Sequence, residues 1–101
     1  MAEAWVYMLR CVDGSLYTGW SNDVERRLER HRSGRASRYT ASRLPVELVL
    51  RIAMDDRSSA MREEARIKRL KRSEKLRLID EHADSGAGIE GVALLGVEVA
   101  A

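Results

Sequence analysis

The sequence contains only one cysteine, Cys11, so an intramolecular disulfide is excluded. Cys11 lies in an apolar run, which predicts a buried, inert thiol. The Cys/His spacing of zinc sites, a glycine-rich phosphate loop and a Ser-His-Asp set are also missing. No window reaches the roughly 18 apolar residues of a membrane span, and the N-terminus lacks a basic start followed by a long apolar run. These absences predict a soluble cytoplasmic protein without a membrane partner.

The middle of the chain has few acidic residues for its number of basic ones. Residues 22–77 carry 17 Lys and Arg against 9 Asp and Glu, whereas the segments on either side are net acidic. A basic segment of this kind is typical of polyanion binding. A solvated surface of Arg- and Lys-rich helices explains the same composition equally well, so charge does not decide between the two.

An Asp13-Gly14 pair between two apolar, partly aromatic segments predicts a β-hairpin. A two-residue loop would place Tyr7 and Tyr17 on opposite faces of the sheet. A three-residue loop that starts at Val12, with Gly14 in the left-handed conformation, would shift the register by one and place both tyrosines on one face. Loop propensity slightly favours the shorter loop, whereas a site shared by the two tyrosines requires the longer one.

A helix is predicted to follow the hairpin, from a cap at Asn22 to about Ser33. At 100° per residue, Arg27 and His31 fall within 60° of Val24 and therefore lie on or beside the apolar stripe. A guanidinium in this position needs either a carboxylate partner or an anionic ligand. The pair is thus a structural Arg with a core histidine, or part of a site.

Residues 34–45 are predicted to form a basic loop. Three arginines, Arg35, Arg38 and Arg43, surround Tyr39, a combination that suits phosphate contacts and a stacking platform for a base or sugar. A plain surface loop is the alternative. Residues 46–53 alternate in polarity and predict a third strand with Val46, Leu48 and Leu50 on one face.

A second helix is predicted from a serine cap near Ser58 to about Leu70. Glu64 lies in the middle of its apolar arc, whereas Glu63 points elsewhere. A carboxylate in that position must be paired, hydrogen-bonded or bound to a metal ion. Lys68, one turn later, extends the basic surface.

A third helix begins near Ser73, and residues 85–101 contain four glycines without helical punctuation. We therefore predict one domain over residues 1–84 and a flexible C-terminal tail over residues 85–101. The elements together predict an α+β fold, a three-stranded antiparallel sheet flanked by three helices.

The candidate residues are two tyrosines, an arginine, a histidine and one inward-facing glutamate. A single carboxylate does not suit a two-metal nuclease site. The set does suit phosphodiester cleavage with one divalent ion. The ion would neutralise a phosphate oxygen, a phenol or phenolate would activate water, and a guanidinium would stabilise the developing charge.

Over roughly residues 4–82 the chain resembles the GIY-YIG nuclease superfamily, and most of all its small stand-alone bacterial members. Val6-Tyr7-Met8 and Tyr17-Thr18-Gly19 stand where the two family triplets belong. The strings NDVERRLERHRSG, RYTASRLPVELV and AMREEARIKRL follow. The family Gly and Ile of the first triplet are Val6 and Met8 here, and Thr18 replaces the second Ile, which preserves strand character.

The resemblance implies a role for each matching residue. Tyr17 corresponds to the tyrosine proposed as general base, and Tyr7 to its partner. Arg27 corresponds to the arginine that stabilises the scissile phosphate, and His31 to a residue thought to orient water or Tyr17. Glu64 corresponds to a lone metal ligand that takes Mg²⁺ or Mn²⁺.

By this resemblance the expected activity is metal-dependent hydrolysis of DNA, with branched, damaged or single-stranded repair-related DNA as candidate substrates. Nothing in the sequence excludes RNA. The first alternative is a catalytically weak or inactive nucleic-acid-binding module with the same basic groove. The second is a protein-interaction domain that uses the apolar tail. Oligomeric state is left open by the sequence.

Overall fold

The computed structural model describes residues 2–83, in which three strands and four helices form an α+β fold. The elements are β1 (Ala4–Arg10), β2 (Leu16–Ser21), α1 (Val24–Arg32), α2 (Arg38–Ala41), β3 (Glu47–Met54), α3 (Arg57–Lys68) and α4 (Arg72–Ala83). The strands form one antiparallel sheet in the order β2-β1-β3. This confirms the predicted sheet and its flanking helices. The predicted tail, residues 85–101, lies outside the described residues.

The hairpin has the odd register that places both tyrosines on one face. Tyr7 pairs with Gly19, and Leu9 pairs with Tyr17. The Cys11 amide donates to the Ser15 carbonyl at 2.9 Å, which closes a three-residue loop ending at Gly14. Gly14 has φ +84°, the left-handed conformation that a Cβ disfavours. The hairpin therefore has the three-residue loop, although loop propensity slightly favoured a two-residue turn.

Strand β1 is buried on both faces because helices cover each side of the sheet. One face packs against α3 and α4, and the other packs against α1. The first group contains Ala4, Val6, Met8, Ala60, Ile67 and Ile79, and the second contains Tyr7, Leu9, Cys11, Val24 and Leu28. Cys11 is buried, as predicted. Helices α1 and α3 thus lie on opposite faces of the sheet, and β2 is one of its edges.

The predicted helix caps are displaced by one or two residues. Asp23, and not Asn22, caps α1, because its carboxylate accepts the Arg26 amide at 3.1 Å. Asp56 caps α3 in the same way, accepting the Ser59 amide at 2.7 Å. Asp, Asn and Ser are all good N-caps, so neighbouring candidates are separated only by the backbone path into the helix.

Two further details differ from the sequence-based expectations. The predicted loop over residues 34–45 contains the one-turn helix α2. The pairing of β1 with β3 shifts register between Met8 and Leu9, so Leu48 lies opposite Leu9 whereas Leu50 lies opposite Met8. These two leucines therefore point to opposite faces, because a bulge breaks the strict alternation. Within residues 2–83, no helix has the length and apolar character that crossing a bilayer would require.

We predict that Gly14→Ala lowers the free energy of unfolding by about 1–2 kcal/mol, because alanine is strained at the positive φ that the loop requires. Urea denaturation measures this change. The matched control is Val12→Ala in the same loop, whose side chain is 63% exposed, and which should change stability by less than about 0.5 kcal/mol. Equal effects of the two substitutions would contradict the importance of the left-handed residue.

Candidate active site

Four of the five predicted catalytic and metal-binding residues line one open cleft of about 340 Å³ along the β2 edge of the sheet. Tyr7, Tyr17, Arg27 and Glu64 each come from a different element, namely β1, β2, α1 and α3. The other lining residues are Gly19, Trp20, Ser21, Asn22 and Arg57. The sheet edge brings them together because α1 and α3 approach it from opposite faces.

Tyr7 reaches the cleft by lying across Gly19, its partner on the neighbouring strand. A Cβ added at Gly19 would lie 2.6 Å from the Tyr7 hydroxyl oxygen and 2.7 Å from the ring. Real Cβ atoms do not approach other atoms so closely, so any side chain at this position would displace the phenol. The glycine of the second triplet is therefore needed for the position of the tyrosine in the first.

His31 lies behind the cleft, 1% exposed, in a chain of buried hydrogen bonds. Its Nε2 is 2.7 Å from the Tyr7 hydroxyl, and its Nδ1 is 2.8 Å from Oγ1 of Thr40. The Thr40 hydroxyl also donates to the Ser37 carbonyl at 3.3 Å. Burial, together with the Arg27 cation, lowers the pKa of His31 to about 4, so the ring is neutral at pH 7.

One tautomer of this neutral ring matches the contacts of Thr40 and Tyr7. A Thr40 proton directed at the Ser37 carbonyl lets Thr40 accept from Nδ1–H of His31. Nε2 then carries a lone pair and accepts the Tyr7 proton. Burial first, and then Tyr17 and Glu64, raise the pKa of Tyr7 despite the opposing Arg27 cation. Tyr7 is therefore protonated at neutral pH and hydrogen-bonded to His31.

Tyr17 lies between two other rings. It packs edge-on against His31 at a centroid distance of 5.1 Å and stacks on Tyr39 at 6.1 Å. The guanidinium of Arg43 lies 3.9 Å from the Tyr39 ring centroid, and its Nε donates to Asp13 at 3.1 Å. Two residues predicted to bind nucleic acid, Tyr39 and Arg43, thus make internal contacts that support Tyr17.

Glu64 is half-buried in the cleft and forms a loose ion pair with Lys68, with Oε1 and Nζ 3.6 Å apart. Lys68, predicted as a nucleic-acid contact, therefore lies beside the predicted metal ligand. Glu63 is already occupied elsewhere, because its carboxylate receives two hydrogen bonds from Arg66 at 2.7 and 2.8 Å. Of the two adjacent glutamates, only Glu64 presents its carboxylate to the cleft.

The cleft suits a hard divalent cation held by few protein ligands. Among the described residues, no three His, Cys, Asp or Glu side chains cluster as a metal cage. Mg²⁺ is commonly bound by one or two carboxylates, with water and substrate phosphate completing its shell. A single half-buried carboxylate at an open cleft meets that requirement, since Lys68 is half-exposed and free to turn away.

Three residues that shape this site were not predicted as site residues from the sequence. Gly19 was noted only as part of a triplet, although its lack of a Cβ was a usable signal. Thr40 is nine residues from His31 and lies in a segment that was predicted to be a loop. The only sequence signal for it was the Ser37-x-x-Thr40 spacing, which is typical of a helix N-cap. Arg57, at the start of α3, lines the cleft with Glu64. Arg35 and Arg38, in contrast, are exposed outside the cleft lining.

The neutral burial of His31 predicts a specific loss of stability in mild acid. The unfolded chain binds a proton near the ordinary pKa of 6.5, whereas the folded chain binds it only near pH 4. Stability contributed by His31 is thus present above pH 6.5 and is lost as the pH falls toward 4. Between pH 7 and 5 the free energy of unfolding should drop by about 2 kcal/mol.

Urea denaturation at several pH values measures this drop, and His31→Phe is the control because phenylalanine does not titrate. Carboxylates contribute little in this range, since the ordinary pKa of Glu is 4.5. An equal drop in His31→Phe would assign the pH dependence to other groups.

Comparisons with known proteins agree with the geometry of the cleft. The model of the GIY-YIG catalytic domain matches residues 3–77. The chain is 42% identical over 81 residues to a UPF0213 protein of Staphylococcus saprophyticus, which covers 80% of this chain and 99% of the relative. It is also 49% identical over 78 residues to a UPF0213 protein of Oceanobacillus iheyensis, and this match covers 77% of this chain and 91% of the relative.

A solved structure is similar as well. The solution NMR structure of a UPF0213 protein from Bacillus halodurans is 43% identical, with a TM-score of 0.51, and the match covers 76% of this chain and 82% of that one. These matches confirm the resemblance seen in the two triplets and the α1 and α3 segments. The chain belongs to the GIY-YIG family, and its close relatives are small UPF0213 proteins.

Proposed function

We propose that this protein is a metal-dependent endonuclease that hydrolyses phosphodiester bonds in DNA. The observation that carries the proposal is the meeting of Tyr7, Tyr17, Arg27 and Glu64 in one cleft. These residues are separated by up to 57 positions in sequence and come from four elements. They supply two phenols, one guanidinium and one carboxylate, the groups that phosphodiester hydrolysis with a single ion requires.

Arg27, and a divalent ion held by Glu64, would stabilise the negative charge of the phosphate. Arg27 is exposed to the cleft from α1, where its guanidinium can donate to oxygens of the scissile phosphate. Glu64 would hold Mg²⁺ or Mn²⁺ from α3. A bound divalent ion withdraws charge from a phosphate oxygen and stabilises the developing negative charge. Arg57 adds a second cation at the same cleft.

The two tyrosines would have different roles because their hydroxyls have different partners. The Tyr7 hydroxyl is hydrogen-bonded to Nε2 of His31, which fixes its orientation. Among residues 2–83, no hydrogen bond involves the Tyr17 hydroxyl. We propose Tyr17 as the general base that accepts the proton of the attacking water. Water oxygen then bonds to phosphorus as the bond to the leaving oxygen breaks.

Arginines that contact phosphates carry no sequence information. We therefore propose that the substrate is selected by DNA structure, such as a branch, a lesion or a single strand, which is consistent with a repair-related role. Arg35, Arg38 and Tyr39 are proposed to contact the strand beyond the cleft. Arg43 and Lys68 could join them only by leaving their carboxylate partners.

We predict that Glu64→Gln reduces cleavage of a labelled DNA in Mn²⁺ by at least about 100-fold, because the amide cannot replace the charge that holds the ion. The matched control is Glu63→Gln, which alters the adjacent carboxylate but not the cleft. It should retain cleavage within a few-fold of the wild type. The substrate preference is measured by comparing cleavage of branched, nicked and single-stranded DNAs of one sequence with cleavage of an RNA of that sequence.

Undiminished cleavage by Glu64→Gln would refute the site. If the wild type binds DNA in a salt-sensitive manner but no metal-dependent cleavage occurs on any of these substrates, the protein is a nucleic-acid-binding module instead.

A further inference from the structure

A second cavity, of about 500 Å³, continues from the cleft across the solvent side of α1. It shares Ser21, Asn22 and Arg27 with the cleft, so the two form one continuous depression. We call the part beyond the cleft the α1 groove; its other lining residues are Asp23, Arg26, Arg30 and Ala36.

The arginines of the α1 groove have no carboxylate partner within residues 2–83, although α1 contains acidic residues. Glu25 pairs with Arg51 at 2.9 Å, and Glu29 pairs with Arg32 at 3.6 Å. The acidic residues of α1 are therefore occupied outside the groove. No acidic residue of α1 therefore neutralises the arginines on the groove-facing side of the helix.

The remaining contacts of the groove leave the guanidiniums of Arg26 and Arg30 available, whereas Arg27 also contacts the Tyr7 hydroxyl. Asp23 is the one acidic lining residue, and its carboxylate accepts the Arg26 backbone amide as the helix cap. Arg30 makes one long hydrogen bond, at 3.4 Å, to the Arg35 carbonyl. Arg26 and Arg30 are both exposed. An exposed cluster of unpaired guanidiniums in a concavity is suited to a phosphate ligand.

We propose that the α1 groove is a second phosphate subsite, which binds the phosphate next to the scissile one on the same DNA strand. The proposal rests on the proposed function for the identity of the cleft. Arg27 lines both cavities, so a strand whose phosphate lies in the cleft continues directly over Arg26 and Arg30. These two arginines are one helical turn apart, a rise of about 6 Å, so they can follow successive groups of an extended strand.

The subsite would set the direction of the strand in the cleft. A guanidinium pair on the α1 side makes the site asymmetric, because the α3 side presents the Glu64 carboxylate beside a single guanidinium, that of Arg57. The strand is thereby held with one flank on α1. Phosphate contacts of this kind position the nucleic acid without selecting its sequence.

The test compares Arg26→Gln/Arg30→Gln with Arg72→Gln/Arg77→Gln. Both double variants lose the same charge, but the control pair lies on α4, which packs against β3 at the opposite edge from the cleft. Binding of a fluorescein-labelled single-stranded DNA is measured by anisotropy in EDTA between 50 and 200 mM salt, where no cleavage occurs.

The groove variant should bind at least about 10-fold more weakly at low salt, and its slope of log K against log salt should fall by about 1 to 2, since each lost phosphate contact removes about 0.7. The control should match the wild type within about two-fold. In cleavage assays the groove variant should raise KM more than it lowers kcat. A neutral methylphosphonate beside the scissile phosphate should weaken the wild type but not the groove variant.

Equal losses of affinity in both double variants, or an unchanged salt slope in the groove variant, would overturn the subsite while leaving the effect of Glu64→Gln intact. If the wild type never cleaves but the groove variant alone loses affinity, the subsite stands and the proposed catalytic function fails. Urea denaturation of both variants checks that the fold is retained, since exposed substitutions should change stability by less than about 0.5 kcal/mol.

Discussion

The hydrogen bond between Tyr7 and His31 is the interaction on which the candidate site depends, because it joins the central strand to α1. It forms only if Tyr7 can lie across Gly19, and Gly19 is opposite Tyr7 only in the odd hairpin register. The same histidine is held from behind by Thr40, so α2 also contributes to the orientation of the phenol. A neutral imidazole in this position supports the phenol and fixes the orientation of its hydroxyl.

Charge on this small domain is divided between ion pairs that stabilise the fold and cations that are left available. Arg51, Arg66 and Arg43 each have a carboxylate within 3.1 Å, and these pairs lie away from the cleft. Exposed pairs of this type contribute little to stability, typically below about 1 kcal/mol each. The Arg51 pair has a more important effect, because it occupies Glu25 of α1, as Arg32 occupies Glu29, so that the arginines beside the cleft keep their positive potential for a polyanion.

Much of the architecture could be predicted from the sequence because it depends on local patterns. Alternation along the strands and the 3.6-residue period of the helices predicted the elements, and wheel positions placed His31 and Glu64 toward the interior side. Caps were off by one or two residues because several good capping residues are adjacent. The bulge opposite Leu48 was missed because it arises from pairing between strands, which no single segment encodes.

By itself, the sequence determined the α+β class, the elements that carry the five predicted catalytic and metal-binding residues, and the family triplets. Only the tertiary structure decided which side chains meet. It selected the hairpin register and placed Thr40 behind His31. It also paired Lys68 with Glu64 and left Arg26 and Arg30 without a carboxylate partner among residues 2–83. The physical reason is that side-chain periodicity is a local property of the backbone. Hydrogen bonds and ion pairs between distant residues instead depend on how the helices pack at the edge of the sheet.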